Sequence, residues 1–212
     1  MFKIVIFCIS LYGASAYFTL PDKCPENVNL QEYFRLQDFY DTWYQAYHFA
    51  SDGQQKNNCS TLKLLNTPTG IYLNQSRVDR GLFHRYSLGK LEIPSDIEKG
   101  SNLDITFTYQ NAPRRIKNRR YPFHILATNY HHYATVYTCQ YSPLINKHFI
   151  YVWILSRTPS LNEVSKTLAI KPLSQIGVDP ETLVKDDNSN CAPKYYSDEE
   201  TEPMTFRYPV PI

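Results

Sequence analysis

The chain has 212 residues, 22 Lys and Arg against 20 Asp and Glu for a formal charge of +2, and 42% hydrophobic and 15% aromatic side chains. That is the size of one domain or two small ones, too evenly charged for bulk electrostatics to recruit nucleic acid, and too apolar for global disorder. The 7 glycines form no GxGxxG or Walker-type loop, which argues against a nucleotide-phosphate cradle.

In chain order, Lys3, the apolar run Ile4 to Leu11 and the small-x-small triplet Ala14-Ser15-Ala16 read as a secretory signal over residues 1–16. The run is about half of the ~20 apolar residues that span a bilayer. Its removal leaves 21 basic against 20 acidic residues and four cysteines, Cys24, Cys59, Cys139 and Cys191. In an oxidising compartment these form two disulfides; their wide spacing excludes a CxxC redox or zinc motif and leaves three connectivities open. Asn58-Cys59-Ser60 and Asn74-Gln75-Ser76 are glycosylation sequons, which if used put Asn58 and Asn74 on the surface. At Asn58 the middle cysteine competes, because it must also find a disulfide partner.

Short β-branched and aromatic runs follow, separated by turn residues. Candidate strands are Tyr40 to His48, Cys59 to Leu65, Gly70 to Val78, Phe83 to Leu91, Leu103 to Tyr109, Tyr121 to Thr128, Tyr133 to Tyr141 and Phe149 to Leu155. Leu103, Ile105, Phe107 and Tyr109 alternate with Asp104, Thr106 and Thr108, the period of a strand with one buried and one wet face. A helix is expected from Ser160, with Glu163 as its capping-box partner, Leu161, Val164, Leu168 and Leu173 on its apolar face, and Gly177 closing it. Eight strands and one trailing helix suggest an all-β fold, a closed antiparallel barrel with the helix packed outside. The chain then divides into the signal, a barrel domain over 17–191, and a Pro-rich acidic tail over 192–212 expected to be extended or disordered.

The order of motifs resembles the lipocalin family, most closely the apolipoprotein D, Lazarillo and insect bilin-binding group. The resemblance runs from Cys24-Pro25 through Phe39-Tyr40-Asp41-Thr42-Trp43-Tyr44, Thr128-Asn129-Tyr130 and Tyr133 to Cys139, then Trp153 to Pro159 and Gly177-Val178-Asp179, and ends at Cys191. It implies an up-and-down barrel and the pairing Cys24–Cys139 with Cys59–Cys191. Asp41 replaces the family's Gly at the start of the first strand, and Asn129 replaces its Asp in a closed-end loop.

In such a barrel the start of the first strand and the end of the last meet at one end, so Arg157 can stack on Trp43 as the family's structural plug. Alternate loops rise at the open mouth. One of them carries Arg114, Arg115, Lys117, Arg119 and Arg120, without which 16 basic residues would face 20 acidic ones. It is read either as a solvated loop or dibasic processing site, or as a steering patch for anionic ligands, acidic membrane lipid or a receptor. It lacks the aromatic interleaving of a nucleic-acid site. Parity together with the resemblance points Tyr47, Ile71, Leu73, Phe107, Tyr109, Ala134, Val136, Thr138, Tyr151, Trp153 and Leu155 into the barrel, as cavity lining or as a filled core.

Nucleophilic or metal chemistry finds little support. There is no GxSxG elbow, two bridges leave no free thiol, and His131-His132 sit side by side, where strand neighbours point to opposite faces. The expectation is a secreted, non-enzymatic carrier of a small hydrophobic ligand such as a bilin, retinoid or fatty acid, with no required cofactor beyond that bound bilin or lipid. The alternative is an extracellular protein- or membrane-interaction module with a filled barrel acting through its loops.

Overall fold

The computed structural model describes residues 20–51, 57–79, 83–95, 100–108, 118–191 and 202–203. A short strand, β1 (Leu20–Pro21), leads to β2 (Asp41–Ala50), β3 (Asn58–Thr67), β4 (Gly70–Asp79), β5 (Phe83–Glu92), β6 (Asn102–Thr108), β7 (Asn118–Thr128), β8 (Tyr133–Ser142) and β9 (Lys147–Ser156). Each of β2 to β9 pairs antiparallel with the next, and β9 returns to β2, closing an eight-stranded barrel. The strand segments read from β-branched and aromatic runs are all present; β7 starts earlier, at Asn118.

Alternation gives the barrel two apolar layers. Inside lie Trp43, Leu62, Leu64, Leu73, Leu91, Leu103, Ile105, Phe107, Phe123, Ile125, Ala134, Val136 and Leu155. Outside, Phe49, Leu126, Tyr137, Ile150, Val152 and Ile154 pack under α1 (Glu163–Ile170) and the 3-10 turn Lys171–Ile176 that follows it. The bridges present are Cys24–Cys139, which ties the N-terminal segment to the outer side of β8, and Cys59–Cys191.

The helix differs from expectation in its start and in its face. Asn162, not Ser160, is the cap, its side chain accepting a hydrogen bond from the Ser165 amide. Ser165 and Ala169 are the buried helical positions, while Val164 and Leu168 are exposed; Leu161 before the helix and Leu173 after it do pack against the outer layer. Small residues let the helix backbone approach closely enough for the Thr135 hydroxyl to donate to the Ala169 carbonyl at 2.6 Å. A large apolar side chain on that face would hold the helix away.

One gap in the barrel is filled from far along the chain. β2 and β3 pair only from Asp41–Leu64 to Tyr44–Thr61, and a register shift between Asn58 and Thr61, with Cys59 at φ 50°, bends β3 away. Into the opening comes β10 (Val184–Lys185), paired with His48 and Tyr47, followed by Asp187, which bridges to Asn58. The Cys59–Cys191 bridge fastens this strap. Within the tail, β11 (Glu202–Pro203) runs parallel to β5 at Arg85 and Tyr86; the other residues from 192 onward, like residues 1–19 where a signal was expected, lie outside the described residues.

Candidate functional site

The floor of the barrel is a closely packed plug. Trp43 is fully buried, its indole N–H donating to the Phe39 carbonyl at 3.0 Å and its ring 4.9 Å from that of Phe39. The Arg157 guanidinium lies 3.7 Å from the Trp43 ring centre and donates to the carbonyls of Tyr130, Thr42 and Asp38. Burial lowers the Arg157 pKa from its ordinary value, an effect opposed by the charge of Asp41. Asp41 itself holds φ 74°, a left-handed conformation that glycine adopts without strain. Asn129 keeps the turn without a charge: its Oδ1 accepts from the amides of His132 and Tyr133.

Leu155, Ile125, Ala134 and Val136, all fully buried, continue the plug upward. Leu73 is equally enclosed, whereas Ile71 is only partly buried against the same layer. Gly89 faces inward beside them, where a Cβ would come within 2.6 Å of Ile105 and 2.9 Å of Phe107, so the absence of a side chain is what lets those two residues cross the interior.

Higher up, inward residues become accessible. Trp153 and Tyr151 are partly exposed, and their rings stack at 6.5 Å with 14° between planes. Register places Trp153 opposite Val136 and His48, and Tyr151 opposite Thr138 and Ala50. Tyr121 and Arg119 share the inward parity of Phe123 and Ile125. The Tyr121 ring meets Phe107 at 6.0 Å, and the Arg119 guanidinium stands 5.4 Å from the Tyr121 ring centre. Above the plug these side chains point inward yet remain reachable.

Tyr47 is a correction. It packs in the outer layer, with Lys166 Nζ 5.0 Å from its ring centre. The cause is a bulge in β2: Gln45 pairs with Leu155 but Tyr47 pairs with Ile154, so Ala46 is an extra residue and every later side chain changes face. His48 therefore points inward.

With it comes a polar cluster that sequence reasoning missed. Asp186, on the strap, is fully buried; its Oδ2 accepts from Gln45 Nε2 at 2.6 Å, and its Oδ1 accepts from the Asn57 amide at 3.2 Å. His48 Nδ1 sits 2.9 Å from Oδ1, within ion-pair reach but off the axis of a hydrogen bond. Asn188 ties the same strap to both strands, donating to the Gln45 carbonyl and accepting from the Ser60 amide. Gln45 shares the parity of Trp43, which could have flagged it. Nothing local marks His48 or Asp186, because one needs the bulge and the other a contact with a residue 138 positions away.

The basic loop divides. Arg114, Arg115 and Lys117, like the cavity candidate Tyr109, lie outside the described residues. Arg119 faces in, and its Nη2 donates to Gln140 Oε1 at 2.8 Å. Arg120 faces out, 2.6 Å from Asp104 and 3.3 Å from Glu92, and its pKa is raised by the hydrogen bond and charge of Asp104, then by Glu92. Asn74 lies on the outer parity of β4, but it is only 9% exposed, so a glycan there would need its surroundings to open. Asn58 is partly exposed where β3 meets the strap. Among the described residues no three His, Cys, Asp or Glu side chains converge as a metal site, and no helix is long and apolar enough to cross a membrane.

The sequence model of the lipocalin / cytosolic fatty-acid binding protein family matches residues 98–190. Apolipoprotein D of Mus musculus is 28% identical over 171 residues, 80% of this chain and 84% of its own. Insecticyanin-B of Manduca sexta is 26% identical over 198 residues, 92% of each. The solved structure of insecticyanin from the tobacco hornworm Manduca sexta superposes with a TM-score of 0.70 at 23% identity, covering 89% of this chain and 97% of that one. Lobster apocrustacyanin A1 superposes with a TM-score of 0.62 at 20% identity, over 84% of this chain and 94% of its own. At these identities the superpositions speak for the fold.

Proposed function

We propose that this chain belongs to the lipocalin family and is a secreted carrier that holds a small hydrophobic molecule in a calyx in the upper half of the barrel. The observation that carries the reading is the change of accessibility along one inward face of β9: Leu155 is sealed while Trp153 and Tyr151 above it are partly open. A filled barrel would bury all three alike. The stacked Tyr151 and Trp153 rings offer a flat wall suited to a conjugated ligand such as a bilin or retinoid, and to an alkyl chain.

The described residues supply binding groups rather than reaction groups. All four cysteines of the barrel domain are bridged, and Asp186, beside His48, accepts from Gln45 and the Asn57 amide, neither of them a nucleophile. Secretion is supported by the N-terminal signal pattern and by two disulfides, which persist in oxidising compartments.

Purifying the protein from the medium of its own source and recording absorbance, native mass and an organic extract tests this. A stoichiometric hydrophobic compound, coloured or not, is the expected result. Protein that emerges empty and takes up no bilin, retinoid or fatty acid would favour the loop-mediated interaction module.

A further inference from the structure

We propose that Arg119, Gln140 and Thr138 form a head-group site that holds the carboxylate of an amphiphilic ligand. The inference rests on the carrier reading above and adds the class of ligand and the place where its charge sits. All three residues lie on the inward faces of neighbouring strands: Arg119 shares the parity of Tyr121 and Phe123 on β7, and Thr138 and Gln140 share that of Val136 on β8.

The geometry decides which polarity the site asks for. Arg119 Nη2 donates to Gln140 Oε1 at 2.8 Å, which turns the amide end of that carboxamide away from the cation. The Nε2 group so directed is buried and finds no hydrogen-bond partner among the described residues. Two residues along the same face, the Thr138 hydroxyl is also buried and without a partner, on a residue only 4% exposed. Unsatisfied buried donors are costly and rare in native proteins, so two on one face beside a guanidinium mark a place for an acceptor. Residues i and i+2 lie about 7 Å apart along a strand. A carboxylate, with two oxygens and about four lone-pair positions, spans that distance and meets the positive charge; a single hydroxyl does neither.

What lies beneath fits the rest of such a molecule. Tyr151 is the cross-strand neighbour of Thr138, and its ring stacks on that of Trp153, so an apolar body descending from the head group runs along aromatic faces toward the plug. Arg120 provides a control of equal charge one residue away, since it faces outward and is neutralised by Asp104 and Glu92.

Palmitate and biliverdin, each compared with its methyl ester, test the site in the full secreted protein by isothermal titration. Arg119→Gln is expected to weaken whichever acid binds by about tenfold to a hundredfold, the range for a charged hydrogen bond, and to leave its ester within about twofold. Arg120→Gln is expected to change neither. Thr138→Val removes an unsatisfied buried donor, so it is expected to raise the melting temperature of the empty protein while weakening the acid, a pairing that a purely structural hydroxyl would not produce. If Arg119→Gln folds as wild type and binds acid and ester unchanged, the head-group site is wrong and the carrier reading survives. If wild type binds neither of these acids, neither ester and no retinoid, both fall.

Discussion

The two halves of the barrel use the same alternating strands to opposite ends. In the lower half, inward side chains interlock until no exposure remains: Trp43 beneath Arg157, against Phe39, with Leu155, Ile125 and Ala134 closing over it. In the upper half, inward side chains are aromatic or polar, Trp153, Tyr151 and Tyr121 among them stay partly open, and one stretch of wall is borrowed from the strap at 184–188 through buried hydrogen bonds. A plug of mutually satisfied groups gives rigidity to a closed end. A wall of reachable rings and donors leaves interaction capacity for something else. The difference predicts that changes below will cost stability without touching ligand, and changes above will do the reverse, except where the strap is involved.

The largest effect should come from the strap's fastening. Replacing Cys59 and Cys191 together by Ser opens a loop with a sequence separation of 132, worth about 4 to 5 kcal/mol in the chain-entropy model. Urea unfolding should report that loss, and Trp153 emission should shift to the red as the β2–β3 gap opens; an unchanged emission would mean the strap holds without its bridge. Asp186→Ala comes next. It leaves Gln45 and the Asn57 amide without their shared charged acceptor, a loss of about 3 kcal/mol by the measure of hydrogen bonds to charged groups. A smaller loss would show that water replaces the carboxylate and that this wall is wet.

In the plug, Arg157→Ala removes the cation over the Trp43 ring and leaves three carbonyls short of a donor. The cation-π contact contributes about 1 to 2 kcal/mol. Thermal melting should fall accordingly while the affinity for any bound acid stays as in wild type; a matching loss of affinity would show that the halves are coupled.

The smallest effect concerns pH. His124 lies outside the barrel, edge-on to the Tyr137 ring at 5.4 Å, and burial holds its pKa below the ordinary 6.5, with the Asp104 charge opposing. As pH falls from 6.5 toward that lower folded value, the unfolded chain takes up the proton first. Stability is therefore complete above 6.5 and declines through this window. His124→Gln should flatten that part of the urea-midpoint profile between about pH 7 and 5, and an unaltered slope would place the titrating group elsewhere.

Much of the architecture was legible because its causes are local. β-Branched and aromatic runs marked the strands, with alternation plainest in Leu103 to Phe107, and the up-and-down barrel that the resemblance implies placed Trp43 and Arg157 at one end. Register was not legible. The bulge at Ala46 leaves no compositional trace, yet it moved Tyr47 outside and His48 inside. The strap was missed for a related reason: Asp186, Asp187 and Asn188 have the composition of a solvated turn, and their burial depends on partners in β2 and β3 more than a hundred residues away. The helix misled differently. Its apolar residues suggested a buried face, but the close approach that Thr135 makes to Ala169 selects the small one.

Ligand-induced quenching of the two tryptophans tests the division between plug and calyx most directly. Trp153 is partly open beside Tyr151 and Trp43 is sealed beneath Arg157. Titration of whichever acid or ester binds should quench wild type and Trp43→Phe alike, and the signal should disappear in Trp153→Phe with binding still seen by calorimetry. Quenching that persists in Trp153→Phe and vanishes in Trp43→Phe would put the ligand at the closed end and contradict the account.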